Sequence, residues 1–192
     1  MTKKIAVVLG HPDGKAFCGA LAEAYGAGAR QVGHDVTLLP LAEMAFDPVL
    51  RQGFRGNQPL ESDLVYAQQV LHDAEHSVWV YPNWWGGPPA LLKGFIDRAF
   101  LPGFAFQYTQ GPLPQKLLKG RSAHVLMTLD TPVWWYRYAM GAPGLRVMQR
   151  GILQFSGISP VQSTLVGPVR GSSLKQREHW LQQAKKLGEK GF

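Results

Sequence analysis

Apolar positions in this chain follow two rhythms. Ile5-Ala6-Val7-Val8-Leu9 is an unbroken apolar run, and Ser77 to Tyr81 and Ala123 to Met127 are mostly apolar segments that also read as strands. Short continuous runs like these mark parallel strands buried on both faces. Val36 to Leu39, closed by Pro40, and Val161 to Val166 read as two further strands. Between them the spacing changes to threes and fours. Phe17, Ala20, Leu21, Ala24, Tyr25, Gly28 and Val32 predict a helix that stops at Gly33. Leu60, Leu64, Ala67, Leu71 and Ala74 predict a second, Ala90 to Phe100 a third, and Leu145 to Phe155 a fourth. Ser173 and Gln176 have capping-box spacing and open a last helix through Trp180, Leu181, Ala184 and Leu187. Residues 41–59 and 101–121 read as loops, the second long enough to suggest a function of its own.

Five strands alternating with helices predict an α/β fold: one domain over residues 1–192, with a doubly wound parallel sheet and helices on both faces. Ligands of such sheets bind beyond the carboxyl ends of the strands, near the point where strand order reverses. Three strand-end segments are therefore the candidate site. Gly10-His11-Pro12-Asp13-Gly14-Lys15-Ala16-Phe17-Cys18 leads into the first helix, whose free N–H groups suit a phosphate. It lacks the Gly-x-Gly-x-x-Gly dinucleotide fingerprint. Pro82-Asn83-Trp84-Trp85-Gly86 combines flat indole faces with glycine-permitted backbone approach, as a planar heteroaromatic ring such as a flavin requires. Thr128-Leu129-Asp130-Thr131 adds hydroxyls and backbone donors for the ring's polar edge. Asp130 alternatively caps its own turn.

Composition narrows the partners. Hydrophobic residues make up 45% and charged residues 17% of 192, as in a folded globular chain. Cys18 is the only cysteine, so an internal disulfide and a cysteine-built metal site are excluded, and no metal is expected. No apolar stretch reaches membrane-span length and the first run is too short for a signal-peptide core, so a cytoplasmic location is the expectation. The formal charge of +7 points to anionic partners. Basic residues form only a modest cluster at Lys185, Lys186 and Lys190, without a basic helix stripe or zinc-finger spacing, which favours phosphate-bearing small molecules over nucleic acid.

Taken together these residues resemble the NAD(P)H:quinone oxidoreductase family of flavodoxin-like fold. The resemblance rests on His11-Pro12 with Phe17, on Pro82-x-Trp84-Trp85-Gly86-x-x-Pro89-Ala90-x-Leu92-Lys93-Gly94-Phe95-Ile96-Asp97-Arg98, on Gly103-Phe104-Ala105-Phe106-x-Tyr108, and on Ile152-Leu153-x-Phe155-x-Gly157-Ile158. It implies a homodimer binding FAD, or FMN, and using NADPH or NADH to reduce a quinone-like acceptor. Carried over by position, His11, Lys15, Phe17 and Cys18 line the flavin phosphate site. Pro82, Asn83, Trp84, Trp85 and Gly86 hold the ring, with Thr128, Leu129, Asp130 and Thr131 at its edge. Phe106 and Tyr108 form an aromatic wall of the nicotinamide and quinone pocket, near the dimer partner. The family's Thr-Thr-Gly-Gly run is replaced here by Thr128-Leu129-Asp130-Thr131, and no histidine lies between His124 and His179. Tyr136 or Arg137 then takes the place of the family's charge-stabilising pair, and Tyr108, Tyr136 and Thr128 are the candidate catalytic residues. Two other functions fit the same fold: a one-electron carrier, to which the basic charge is ill suited, and a regulatory subunit of a transporter.

Overall fold

The computed structural model describes residues 2–56 and 58–191. Its central sheet has five strands: β1 (Lys4–Leu9), β2 (Asp35–Pro40), β3 (His76–Pro82), β4 (Ser122–Thr128) and β5 (Val161–Val166). Every pairing is parallel and the order is β2-β1-β3-β4-β5, so the chain reverses direction across the sheet between β1 and β3. This is the flavodoxin-like doubly wound arrangement.

The apolar runs are continuous because the strand pleat sends alternate side chains into two separate cores. Ile5, Val7, Leu9, Val78, Val80 and Leu126 face α1 (Phe17–Gln31) and α6 (Leu174–Lys190). Ala6, Val8, Trp79, Tyr81, Val125 and Met127 face α2 (Ser62–Asp73) and α3 (Ala90–Ala99). Burying each such aliphatic side chain contributes about 1.5–3 kcal/mol. Helices α1 and α6 touch backbone to backbone. A Cβ on Gly28 would overlap the Lys185 carbonyl, and one on Gly188 the Tyr25 carbonyl. The capping box forms as expected: Ser173 N–H donates to Gln176 Oε1 at 2.9 Å and Gln176 N–H to Ser173 Oγ at 3.2 Å.

Three segments differ from the sequence reading. The fourth helix begins as α5 (Pro143–Arg146) and continues as π-helical turns over Val147–Gln154 instead of running as one α-helix from Leu145. Before it stands α4 (Val133–Tyr138), hidden in sequence by a run of aromatic residues without helical periodicity. The stretch 101–121 contains a small antiparallel ribbon, Phe106–Gln107 with Gln115–Lys116, too short to leave a pattern. The loop after β2 is held in place from α3. Arg98, fully buried, donates to the carbonyls of Asp47 (2.6 Å) and Pro59 (2.7 Å) and to Glu61 Oε2 at 2.9 Å. Among the described residues no helix is long and apolar enough to cross a membrane.

Candidate active site

The carboxyl ends of β1, β3 and β4 converge on a cleft of about 230 Å³ at the switch point. All three strand-end loops contribute. His11, Phe17 and Cys18 come from the first, Pro82, Asn83 and Trp84 from the second, and Thr128, Leu129 and Asp130 from the third. Ala16 and Val169 complete the lining. Val169 belongs to the segment after β5, which sequence reasoning missed because it carries no ligand-binding chemistry.

Hydrogen bonds within the loops fix their shapes. His11 Nδ1 accepts the Asp13 N–H at 2.9 Å, so in the neutral ring the proton sits on Nε2. Asp13 Oδ1 accepts the Lys15 N–H at 2.9 Å. The next residue, Ala16, is the N-cap of α1 and offers no side-chain acceptor, and the first turn of α1 has no acidic residue. The helix therefore presents an uncapped positive end at the cleft. Cys18 Sγ lies 3.3 Å from Thr128 Oγ1, tying α1 to the end of β4. Burial pushes the Cys18 thiol up to about 11, with the Thr128 contact working against it. Asp130 fastens the missed wall: its Oδ1 accepts the Arg170 N–H at 2.8 Å while Leu129 O accepts the Val169 N–H at 2.8 Å.

The tryptophan loop is a two-residue hairpin turn. Trp84 and Gly87 exchange both backbone hydrogen bonds at 2.9 Å, leaving Trp85 (φ 52°) and Gly86 (φ 81°) at the centre with positive φ, as a type I′ turn demands. Trp84 lines the cleft and meets the His11 ring edge-on at 5.5 Å. Trp85 stands wholly in solvent instead of in the cleft. A bulky side chain in the left-handed region costs about 1–2 kcal/mol, and nothing packs against this one to compensate. Trp85→Gly is therefore expected to raise stability by about 0.5–1 kcal/mol in urea denaturation. If the exposed indole serves an incoming ring, the same change raises the KM of the acceptor several-fold. An unaltered KM would remove Trp85 from the site.

The remaining expected residues are dispersed. Lys15, Gly86 and Thr131 flank the cleft loops without lining it. Tyr136 is fully buried in the core, where its hydroxyl accepts the Leu145 N–H at 3.1 Å. It braces α4 against α5 and does not face the cleft. Phe106 lines a different groove with Phe54, Phe100 and Phe155, and Tyr108 stacks edge-on against it at 5.3 Å.

The cleft is suited to a flavin on its own features. Asn83 Oδ1 is buried in the wall and has no hydrogen-bond donor among the described residues. The uncapped helix end suits a phosphate, and Phe17, Trp84 and Leu129 supply apolar surface for a ring.

Comparison with known proteins agrees with this architecture. A ribosyldihydronicotinamide dehydrogenase [quinone] of Rattus norvegicus is 26% identical over 214 residues, covering 96% of this chain and 92% of that protein. FMN-dependent NADH:quinone oxidoreductase 2 of Listeria innocua is 34% identical over 109 residues, 55% of this chain and 49% of that protein. The solved structure of an NAD(P)H:quinone oxidoreductase from Methanothermobacter marburgensis superposes with a TM-score of 0.84 at 24% identity, over 98% of this chain and 96% of that one, a likeness of fold. The Flavodoxin_2 family profile, described as flavodoxin-like fold, matches residues 3–189, and the chain belongs to that family.

Proposed function

We propose that the chain is a flavin-dependent oxidoreductase that passes hydride from NADH or NADPH to a quinone-type acceptor, donor and acceptor using one site in turn. The observation that carries this reading is the convergence of three strand-end loops on one cleft with an uncapped helix end and an orphaned Asn83 oxygen in its wall. The relatives named above, reductases of quinones, support the same chemistry. The flavin is FAD or FMN, and when bound it supplies the group that takes hydride and gives it up.

The protein's own residues do the rest. The N–H groups opening α1 hold the phosphate, with His11 Nε2–H and Lys15 beside them. Trp84 and Leu129 would offer apolar surface to its ring, and Asn83 with the backbone of 128–131 would supply hydrogen-bonding groups to it. Those fixed dipoles favour the extra negative charge of the reduced state without rearrangement. Thr128 serves there through its hydroxyl. Phe106 and Tyr108 lie outside this cleft, so they act on it only from a partner subunit. The reading accordingly includes a homodimer across the Phe54, Phe100, Phe106 and Phe155 groove, located in the cytoplasm.

The test is an anaerobic titration. Protein reconstituted with FAD or FMN is reduced with NADPH or NADH while the flavin absorbance is followed, and mass spectrometry of the retained flavin separates the two cofactors. Rapid bleaching reversed by a quinone is the expected result. A tightly bound flavin that neither nucleotide bleaches would overturn the reading.

A further inference from the structure

Charge is distributed along this chain in blocks. Residues 98–177 hold ten Lys and Arg against one acid, Asp130, whereas residues 1–97 hold seven against ten Asp and Glu. The net +7 thus originates after α3, in the part of the chain that supplies one side of the cleft.

Two of these basic residues, Arg137 and Arg146, stand on α4 and α5. Helix α4 buries Tyr136 and turns Trp134, Trp135, Arg137 and Tyr138 to solvent. The Leu145 N–H bond to the Tyr136 hydroxyl ties α4 to α5. Helix α5 in turn packs on the tryptophan turn: a Cβ on Gly144 would overlap the Gly86 carbonyl oxygen and come within 2.8 Å of Gly87 Cα. Two residues on, Arg146 is exposed and its guanidinium lies beside Gly141. Among the described residues neither Arg137 nor Arg146 takes part in an ion pair. Residues 131–177 contain no Asp or Glu. Asp13 and Asp130, the acids nearest the cleft, each have one carboxylate oxygen already engaged by a backbone N–H. The two helices next to the tryptophan turn, α5 packed on it and α4 tied to α5, therefore carry exposed aromatic rings and two guanidinium groups outside any ion pair.

NAD(P)H is a planar ring on a polyanionic arm. An acceptor that enters the same pocket after it meets the same surroundings. Resting on the oxidoreductase reading above, we infer that the preferred acceptor is a planar quinone or azo compound bearing a sulfonate or carboxylate, with Arg137 and Arg146 receiving the anion. Arginine suits this role, since its planar fork pairs with oxyanions in a bidentate manner and stacks on aromatic faces.

Steady-state kinetics decide the point, using neutral and sulfonated quinones of matched midpoint potential. The readout is the ratio of kcat/KM for the anionic over the neutral acceptor, which cancels changes in folding or in the NAD(P)H half-reaction. The ratio is expected near tenfold at low salt, falling towards one at about 0.5 M NaCl, where charges are screened within a few ångströms. In the R137Q/R146Q double variant it falls to about one at low salt. The K185Q/K186Q variant removes the same charge from α6 and keeps the wild-type ratio. A wild-type ratio near one would overturn the inference, as would equal losses in both double variants or an effect of R137Q/R146Q confined to the KM of NAD(P)H. Failure to turn over either quinone would instead refute the reductase reading itself.

Discussion

Arg98→Met is expected to lower the unfolding free energy by about 2–3 kcal/mol, the cost of taking the donor away from two backbone carbonyls and from the part-exposed Glu61 carboxylate. The guanidinium is fully buried, and its terminal nitrogens serve the Asp47 and Pro59 carbonyls and both oxygens of Glu61. Burial alone would raise the Glu61 carboxyl, but the Asp47 N–H and Arg98 outweigh it and hold it below the usual carboxylate range. Methionine fills the channel without donating a hydrogen bond. The loop over α3 then loses its anchor, although Gly94 still lets Pro48 lie against the helix. Urea denaturation measures the loss, with Glu61→Gln as a milder companion that keeps an acceptor for Arg98. A penalty below about 1 kcal/mol would show that the loop is held by packing alone.

Acid is expected to destabilise the protein from the opposite end of the sheet. His76 and His124 are buried near the amino ends of β3 and β4. Desolvation, aided by the charges of His124, Lys3 and His34, depresses His76 to about 3. Desolvation depresses His124 to about 4. Their hydrogen bonds, His76 to Ser122 Oγ at 2.8 Å and to Tyr25 at 3.3 Å, and His124 to Thr164 Oγ1 at 2.9 Å, suit neutral rings. Both groups titrate in the unfolded chain near 6.5. Between 6.5 and the folded values the unfolded chain binds more protons, so the stability present above pH 6.5 is lost as pH falls. Each histidine accounts for roughly 1–2 kcal/mol by pH 5. Denaturation midpoints at pH 7.5 and 5 measure the slope, and His76→Gln with His124→Gln is expected to flatten it. A double variant that keeps the wild-type slope would place the acid sensitivity in the carboxylates.

These two features differ in how visible they are in sequence. The strands are legible because both faces of the sheet are buried, so runs such as Ile5 to Leu9 carry no polar interruptions. The first, second and third strand-end loops are legible as a site because strand order alone brings them together. Side-chain direction is not legible. Tyr136 and Trp135 are neighbours on α4, and only packing decides that one enters the core while the other meets solvent. Nor does sequence show that Trp85 occupies the first central position of a type I′ turn, a place usually given to asparagine, aspartate or glycine. Val169 enters the cleft through a backbone bond to Leu129 and a carboxylate bond from the next residue to Asp130, neither of which leaves a motif. The π-helical turns at Val147–Gln154 share their apolar spacing with an α-helix closely enough to be read as one.

The contact between Cys18 and Thr128 makes the protein's sole thiol a recorder of motion. Almost wholly buried in the cleft wall and held far from ionisation at neutral pH, Cys18 is a poor target for alkylating reagents while α1 stays docked. Alkylation therefore reports the population of chains in which α1 has moved away from the cleft. A single added mass per chain, followed over time, measures that opening without any introduced probe, and a ligand that closes the cleft slows the labelling.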